Sequence, residues 1–190
     1  MGTAYTEGVS SSAERRGWQR LPDVVTASRP FWGIACGVAV ATGHAGLGGV
    51  LYLVGYLSDV VDGWLARRLG VASDAGTRID GLADEAFHLA VGLGLVWWAV
   101  TAPAWWVLAT LVLLLLAVRV VRRWIGVHTV LGKGIGALTR LVMFGIFVVL
   151  TAPDQRSWLL LLGLAVFGPT YAYEVRVTLH DRETGERPLR

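Results

Sequence analysis

Charge and sulfur are scarce in this chain. Only 16% of its 190 residues are charged, against about a quarter in soluble domains. Meanwhile 54% are hydrophobic and mean hydropathy is +0.55, so an integral membrane protein is expected. A single cysteine, Cys36, excludes an internal disulfide and a cysteine-based metal site, and reads as a small apolar residue. One lysine stands against sixteen arginines; with abundant alanine, glycine and valine, this bias fits a GC-rich bacterial genome. The pI of about 9.4 comes from cations scattered between apolar runs, which suits anionic lipid headgroups and argues against a nucleic-acid partner. Residues 1–20 are polar and lack the apolar core of a secretory signal. The opening MGTAYT matches the loose myristoylation pattern only at the level expected by chance.

Long apolar runs, by contrast, are plentiful. Divided at turn signals, they predict six spans, near 24–42, 47–69, 75–100, 103–120, 135–150 and 157–173. The predicted fold is all-α and polytopic: a polar juxtamembrane segment over 1–20, one membrane domain over 21–178 and a polar tail over 179–190. Of the seventeen cationic residues, only Arg156 falls on the side opposite the others, so both termini are expected in the cytoplasm. Trp97, Trp98, Trp105, Trp106 and Trp158 then gather at the outer interface as an aromatic belt. Gly33-x-x-x-Gly37 marks close helix packing, inside the subunit or across a dimer seam. His44, His88, His128 and His180 are too dispersed for a ligand set and read as turn, packing or surface residues.

Against that background stands SDVVDGWLARRLGVASDAGTRIDGLADE, residues 58–85. Asp59, Asp62, Gly63 and Ala66 share one face of the second span; Gly76, Asp80 and Asp84 share one face of the third. Asp74 sits where an N-cap belongs. A short connection makes the two helices antiparallel neighbours, so four carboxylates converge beside small residues that leave room for a ligand. Such a group needs neutralising cations or protons. Oxygen-only ligands favour hard divalent ions, which clamp phosphates or diphosphates. At a membrane, the implied substrate is a lipid phosphate or diphosphate. Two other readings stand beside this one: a structural network with Arg29, Arg67, Arg68 and Arg78, and a proton- or cation-coupled transporter.

Asp59-x-x-Asp62-Gly63-x-x-Ala66-Arg67, eight residues, then Gly76-x-x-x-Asp80-x-x-x-Asp84 resembles the signature of the CDP-alcohol phosphatidyltransferase family at every fixed position. Leu21-Pro22-Asp23-Val24-Val25-Thr26-x-x-Arg29 is similar to the family's lead-in to its first span, with Asp23 for the usual Asn. The resemblance implies transfer of a phosphatidyl group from a CDP-linked lipid, usually CDP-diacylglycerol, to an alcohol with release of CMP. It implies Asp59, Asp62 and Asp80 as ligands of Mg²⁺ or Mn²⁺, and Asp84 as general base that also touches a second metal. It further implies Gly63, Ala66, Arg67 and Gly76 as the CDP pocket, and a homodimer; the composition and the distribution of cations add a bacterial cell membrane with the site facing the cytoplasm.

Arg119, Lys133 and Arg140 are candidates for holding a phosphorylated acceptor, with headgroup anchoring as the alternative role. Gly132-Lys133 is similar to a pair in glycerophosphate-using members, so glycerol 3-phosphate is the expected acceptor. Phosphatidylglycerol, as in cardiolipin synthesis, and an inositol-type alcohol are the alternatives. Ile79-Asp80-Gly81-Leu82-Ala83-Asp84-Glu85 resembles the Leu-Asp-Pro-Leu-Ala-Asp-Lys of glycerophosphate and cardiolipin enzymes, departing at Gly81 and Glu85.

Overall fold

The computed structural model describes residues 21–69, 74–120, 123–124 and 130–184; the side chains of 21–23, 66–67, 74–78, 130–133, 174 and 177–184 lie outside the described residues. Among the described residues, six α-helices follow in chain order: α1 Leu21–Ala41, α2 Ala45–Leu69, α3 Asp74–Thr101, α4 Trp105–Val120, α5 Val130–Leu150 and α6 Pro153–Thr184. No strand occurs among the described residues. Each predicted span falls on one of these helices. The sixth helix continues to Thr184, well past the expected apolar end at Tyr173 and into the predicted tail. Hydropathy marks where the apolar surface stops, whereas backbone hydrogen bonds carry a helix onward through polar sequence.

By length and composition, two stretches among the described residues are long and apolar enough to cross a membrane, Val24–Ala41 and Ala45–Leu65; Trp105–Val120 and Gly134–Leu150 are apolar but shorter. Large apolar side chains nonetheless face outward on helix after helix, among them Phe31, Leu89, Leu93, Leu115 and Leu164.

Helix α1 is the spine. Where it ends, Gly43 takes φ +85°, and its N–H donates to the Val40 carbonyl while that of His44 donates to the Ala39 carbonyl. This is a glycine C-cap that satisfies the helix's last carbonyls and turns the chain back into α2. Cys36 is buried in that hairpin with its thiol on the Gly48 carbonyl at 3.1 Å, in keeping with a small apolar role.

Against α3, α1 packs through glycines. A Cβ on Gly33 would lie 2.8 Å from Phe87 Cα, one on Gly37 would lie 2.5 Å from the Ala90 carbonyl oxygen, and one on Gly94 would strike the Gly37 backbone. The Gly33-x-x-x-Gly37 pair is therefore consumed inside the subunit, and a contact between copies would have to use other faces.

These contacts fix the register. Along α1, Arg29, Gly33 and Gly37 meet Asp80, Phe87 and Ala90, so α1 and α3 run parallel, while α2 runs back past both. Helices α5 and α6 complete the core: Tyr52 of α2 meets Phe147, Tyr56 meets Phe167, and Phe144 meets Phe167, with ring centroids 4.8–5.5 Å apart. Aromatic pairs at this spacing add to the apolar burial of the bundle centre. The same register brings Arg29, Asp59, Asp80, Asp84 and Arg140 to one end of the bundle, opposite the 41–45, 101–105 and 151–153 connections.

Candidate functional site

At that end a guanidinium sits among carboxylates. Arg29 is only 1% exposed, and its Nη1 reaches Asp59 Oδ1 at 3.0 Å and Asp80 Oδ1 at 2.8 Å while Nη2 donates to Asp62 Oδ2. Thr26, one helical turn before Arg29 on the same face of α1, donates its hydroxyl to Asp62 Oδ2 at 2.7 Å. Three helices are thus joined at one point: α1 supplies the donors, α2 gives Asp59 and Asp62, and α3 gives Asp80.

Asp59, Asp62 and Asp80 each offer a carboxylate oxygen, and the three oxygens lie within 4.8 Å of one another. That spacing and an all-oxygen donor set fit a hard divalent cation, whose ligands sit about 2.0–2.6 Å from the ion. Asp62 is buried, while Asp59 and Asp80 are half-buried and open toward the bundle end.

Asp84 stands outside this trio. It lies one turn beyond Asp80 on α3, and its Oδ1 is 3.3 Å from His88 Nδ1. The same nitrogen lies 2.9 Å from the Asp84 main-chain carbonyl. A carbonyl only accepts, so Nδ1 carries the proton, in the neutral and the charged ring alike. The expected convergence of four carboxylates is therefore resolved into three around Arg29 and a fourth held by His88. His88, read from the sequence as a packing or surface residue, belongs at the site. Its position four residues after Asp84 on one helix face was the available signal.

Between the two groups lies a small cavity of about 10 Å³, room for roughly one water, lined by Arg29, Asp59, Asp84, His88, Arg140 and the aromatic wall of Tyr52, Tyr56 and Phe87. Arg140 of α5 lies over the Tyr56 ring at 5.3 Å, with Nη1 4.0 Å from Asp59 Oδ2 and Nε 3.4 Å from the Gly136 carbonyl. Tyr56 passes its hydroxyl to Thr170 at 3.0 Å, and Tyr171 donates to the Ala137 carbonyl at 2.9 Å, so α6 braces both the ring and the helix beneath Arg140. Two arginines, Arg29 and Arg140, and two carboxylates, Asp59 and Asp84, thus line the same space.

The remaining expected residues divide. Gly63 is half-buried beside Asp62 on α2. Ala66 and Arg67 on α2, Gly76 on α3 and Lys133 on α5 occupy helical positions, but their side chains lie outside the described residues. Arg119 is exposed at the end of α4, where with Val120, Arg123 and Trp124 it lines an open groove that shares no lining residue with the Arg140 cavity. The structure therefore brings Arg140 to the carboxylates and leaves Arg119 apart.

Three comparisons bear on this arrangement. The family model described as CDP-alcohol phosphatidyltransferase matches residues 19–168. A phosphatidylinositol phosphate synthase of Mycobacteroides abscessus is 34% identical over 99 residues, covering 50% of this chain and 42% of that relative. The match thus spans less than half the length of the curated relative. No solved structure matches the chain.

Proposed function

This chain belongs to the CDP-alcohol phosphatidyltransferase family, and from that premise we propose that it moves a phosphatidyl group from CDP-diacylglycerol to an alcohol, releasing CMP. The observation that carries the reading is the trio of carboxylates from Asp59, Asp62 and Asp80 set beside a cavity that Asp84 and Arg140 share.

Asp59, Asp62 and Asp80 would hold Mg²⁺ or Mn²⁺, and such an ion, when bound, grips the donor's diphosphate and spreads its developing negative charge. The chain's own residues do the rest. Gly63, Ala66, Arg67 and Gly76, the remaining fixed positions of the family signature, are the residues assigned to CDP binding in this reading. Asp84, one turn from the trio, takes the proton of the acceptor hydroxyl as its oxygen attacks the phosphatidyl phosphorus. The new P–O bond forms as the bond to the CMP phosphate breaks, and CMP leaves with the electron pair. His88 holds Asp84 at Oδ1, and the Tyr52, Tyr56 and Phe87 wall limits water around the reacting hydroxyl.

For the acceptor, Arg140 is the cation of α5 that lines the cavity with Asp84 and would hold a phosphate there, and Lys133 lies on the same helix. A phosphorylated alcohol follows from this. Making phosphatidylinositol phosphate by phosphatidyl transfer requires inositol phosphate as acceptor, so the Mycobacteroides relative favours that alcohol. Glycerol 3-phosphate is second, on the Gly132-Lys133 pair.

The proposed setting is a membrane crossed by six helices, with the site end and both termini at the cytoplasmic face of a bacterial cell membrane. The outward apolar side chains support it, as do exposed Trp97, Trp105, Trp106 and Trp158 toward the opposite end. The test is an acceptor panel with the purified protein, CDP-diacylglycerol and Mn²⁺. Inositol phosphate or glycerol 3-phosphate is expected to outrun inositol, glycerol and phosphatidylglycerol; equal use of the unphosphorylated alcohols would remove the phosphate-binding role of Arg140.

A further inference from the structure

Arg29 binds one oxygen of each of the three carboxylates that could hold a metal ion. Its Nη1 lies between Asp59 Oδ1 and Asp80 Oδ1, within 3.0 Å of each, and its Nη2 takes Asp62 Oδ2. An arginine and a divalent cation cannot both take those oxygens from the same side.

Charge points the same way. Three carboxylates carry three negative charges and Arg29 returns one, so the trio keeps a net negative charge that Arg140, 4.0 Å from Asp59 Oδ2, offsets only in part. A divalent cation can take up the remainder.

Among the described residues, the polar contacts of Arg29 are to these carboxylates, and its buried Nε has no hydrogen-bond partner. Yielding two shared oxygens therefore breaks no other polar contact among the described residues, and Asp59 and Asp80, on two different helices, keep their second oxygens.

We propose that Arg29 is a positioning residue that serves as the cluster's own counter-ion. It keeps Asp59, Asp62 and Asp80 in register across α1, α2 and α3 when no metal is bound, and it cedes the Asp59 and Asp80 oxygens when a divalent cation arrives. Metal affinity is then set by a competition between the ion and Arg29, and the unloaded enzyme is protected from repulsion among its carboxylates. This inference rests on the reading that the trio binds a divalent metal.

The test measures Mn²⁺ binding directly, by the electron paramagnetic resonance of free Mn²⁺ over detergent-solubilised protein, together with thermal unfolding with and without Mn²⁺. Arg29→Gln is expected to bind Mn²⁺ at least tenfold more tightly than wild type. It should also unfold at lower temperature without metal, with Mn²⁺ closing most of the gap. Unchanged or weaker Mn²⁺ affinity in Arg29→Gln, with wild type binding normally, overturns the competition and leaves the metal reading intact. Absence of Mn²⁺ binding by either protein overturns both. If Arg29→Gln does not fold even with Mn²⁺ present, Arg29→Lys decides the matter, because its single ammonium cannot bridge three carboxylates. Tighter binding than wild type in the lysine variant supports the proposal, and equal or weaker binding overturns it.

Discussion

Asp84 and His88 face each other one turn apart on α3, Oδ1 to Nδ1 at 3.3 Å, while the other three signature aspartates turn toward Arg29. Four carboxylates of one motif thus hold two different sets of partners. A group that binds metal needs neighbours that share a cation, whereas a base needs one oxygen free of it and a partner that fixes its direction.

Asp84→Asn keeps the shape of the side chain but cannot accept a proton. Turnover is expected to fall about 10²-fold or more, with CDP-diacylglycerol binding largely retained. Asp59→Asn or Asp80→Asn should weaken donor binding as well. Steady-state CMP release, paired with a donor-binding assay, separates the two outcomes; near wild-type turnover in Asp84→Asn would assign the base elsewhere.

Arg140 and Arg119 provide a second contrast. If Arg140 holds the acceptor phosphate, Arg140→Ala should raise the acceptor KM while the donor KM stays near wild type, since uniformly used binding energy appears in KM. One charge-assisted contact is worth about 1.5–3 kcal/mol, or roughly ten- to a hundred-fold. Arg119→Ala, in a separate groove at the end of α4, should leave both constants unchanged. A matching acceptor effect from both variants would contradict the separation of the two sites.

Stability can be tested at the α1–α3 crossing. A methyl on Gly37 meets the Ala90 carbonyl, a main-chain atom that cannot swing away, so Gly37→Ala should destabilise the protein by about 1–3 kcal/mol. A methyl on Gly92 of α3 meets nothing within 4 Å, and Gly92→Ala should be neutral or stabilising by up to about 1 kcal/mol. Thermal unfolding in detergent reads both. Equal shifts would mean that the two glycines are not distinguished by the crossing.

Much of this architecture was legible from side-chain pattern alone. Six apolar runs gave six helices because an apolar surface of that length must lie along one element. The spacing of Asp59 with Asp62 and of Asp80 with Asp84 put each pair on one face. What spacing leaves open is which faces meet, and how each side chain then turns. Thr26 and Arg29 are visibly one turn apart, yet only the glycine crossing at Gly33 and Gly37 brings them level with the aspartates and buries the arginine. The departure of Asp84 toward His88 is likewise a choice between two neighbours, made by geometry at the cavity wall. Arg119 and Arg140 look alike in sequence, and it is the antiparallel pairing of α5 with α2 that selects Arg140.

The most direct measurement is CMP release by the purified protein from CDP-diacylglycerol and a phosphorylated acceptor, before and after rigorous chelation. A metal-dependent phosphatidyltransferase releases CMP in step with phospholipid formation, loses this activity with EDTA and regains it with Mg²⁺ or Mn²⁺. Turnover that persists in the chelated protein would contradict the role given to Asp59, Asp62 and Asp80. Ion-coupled solute flux with no CMP formed would replace the transferase with a transporter.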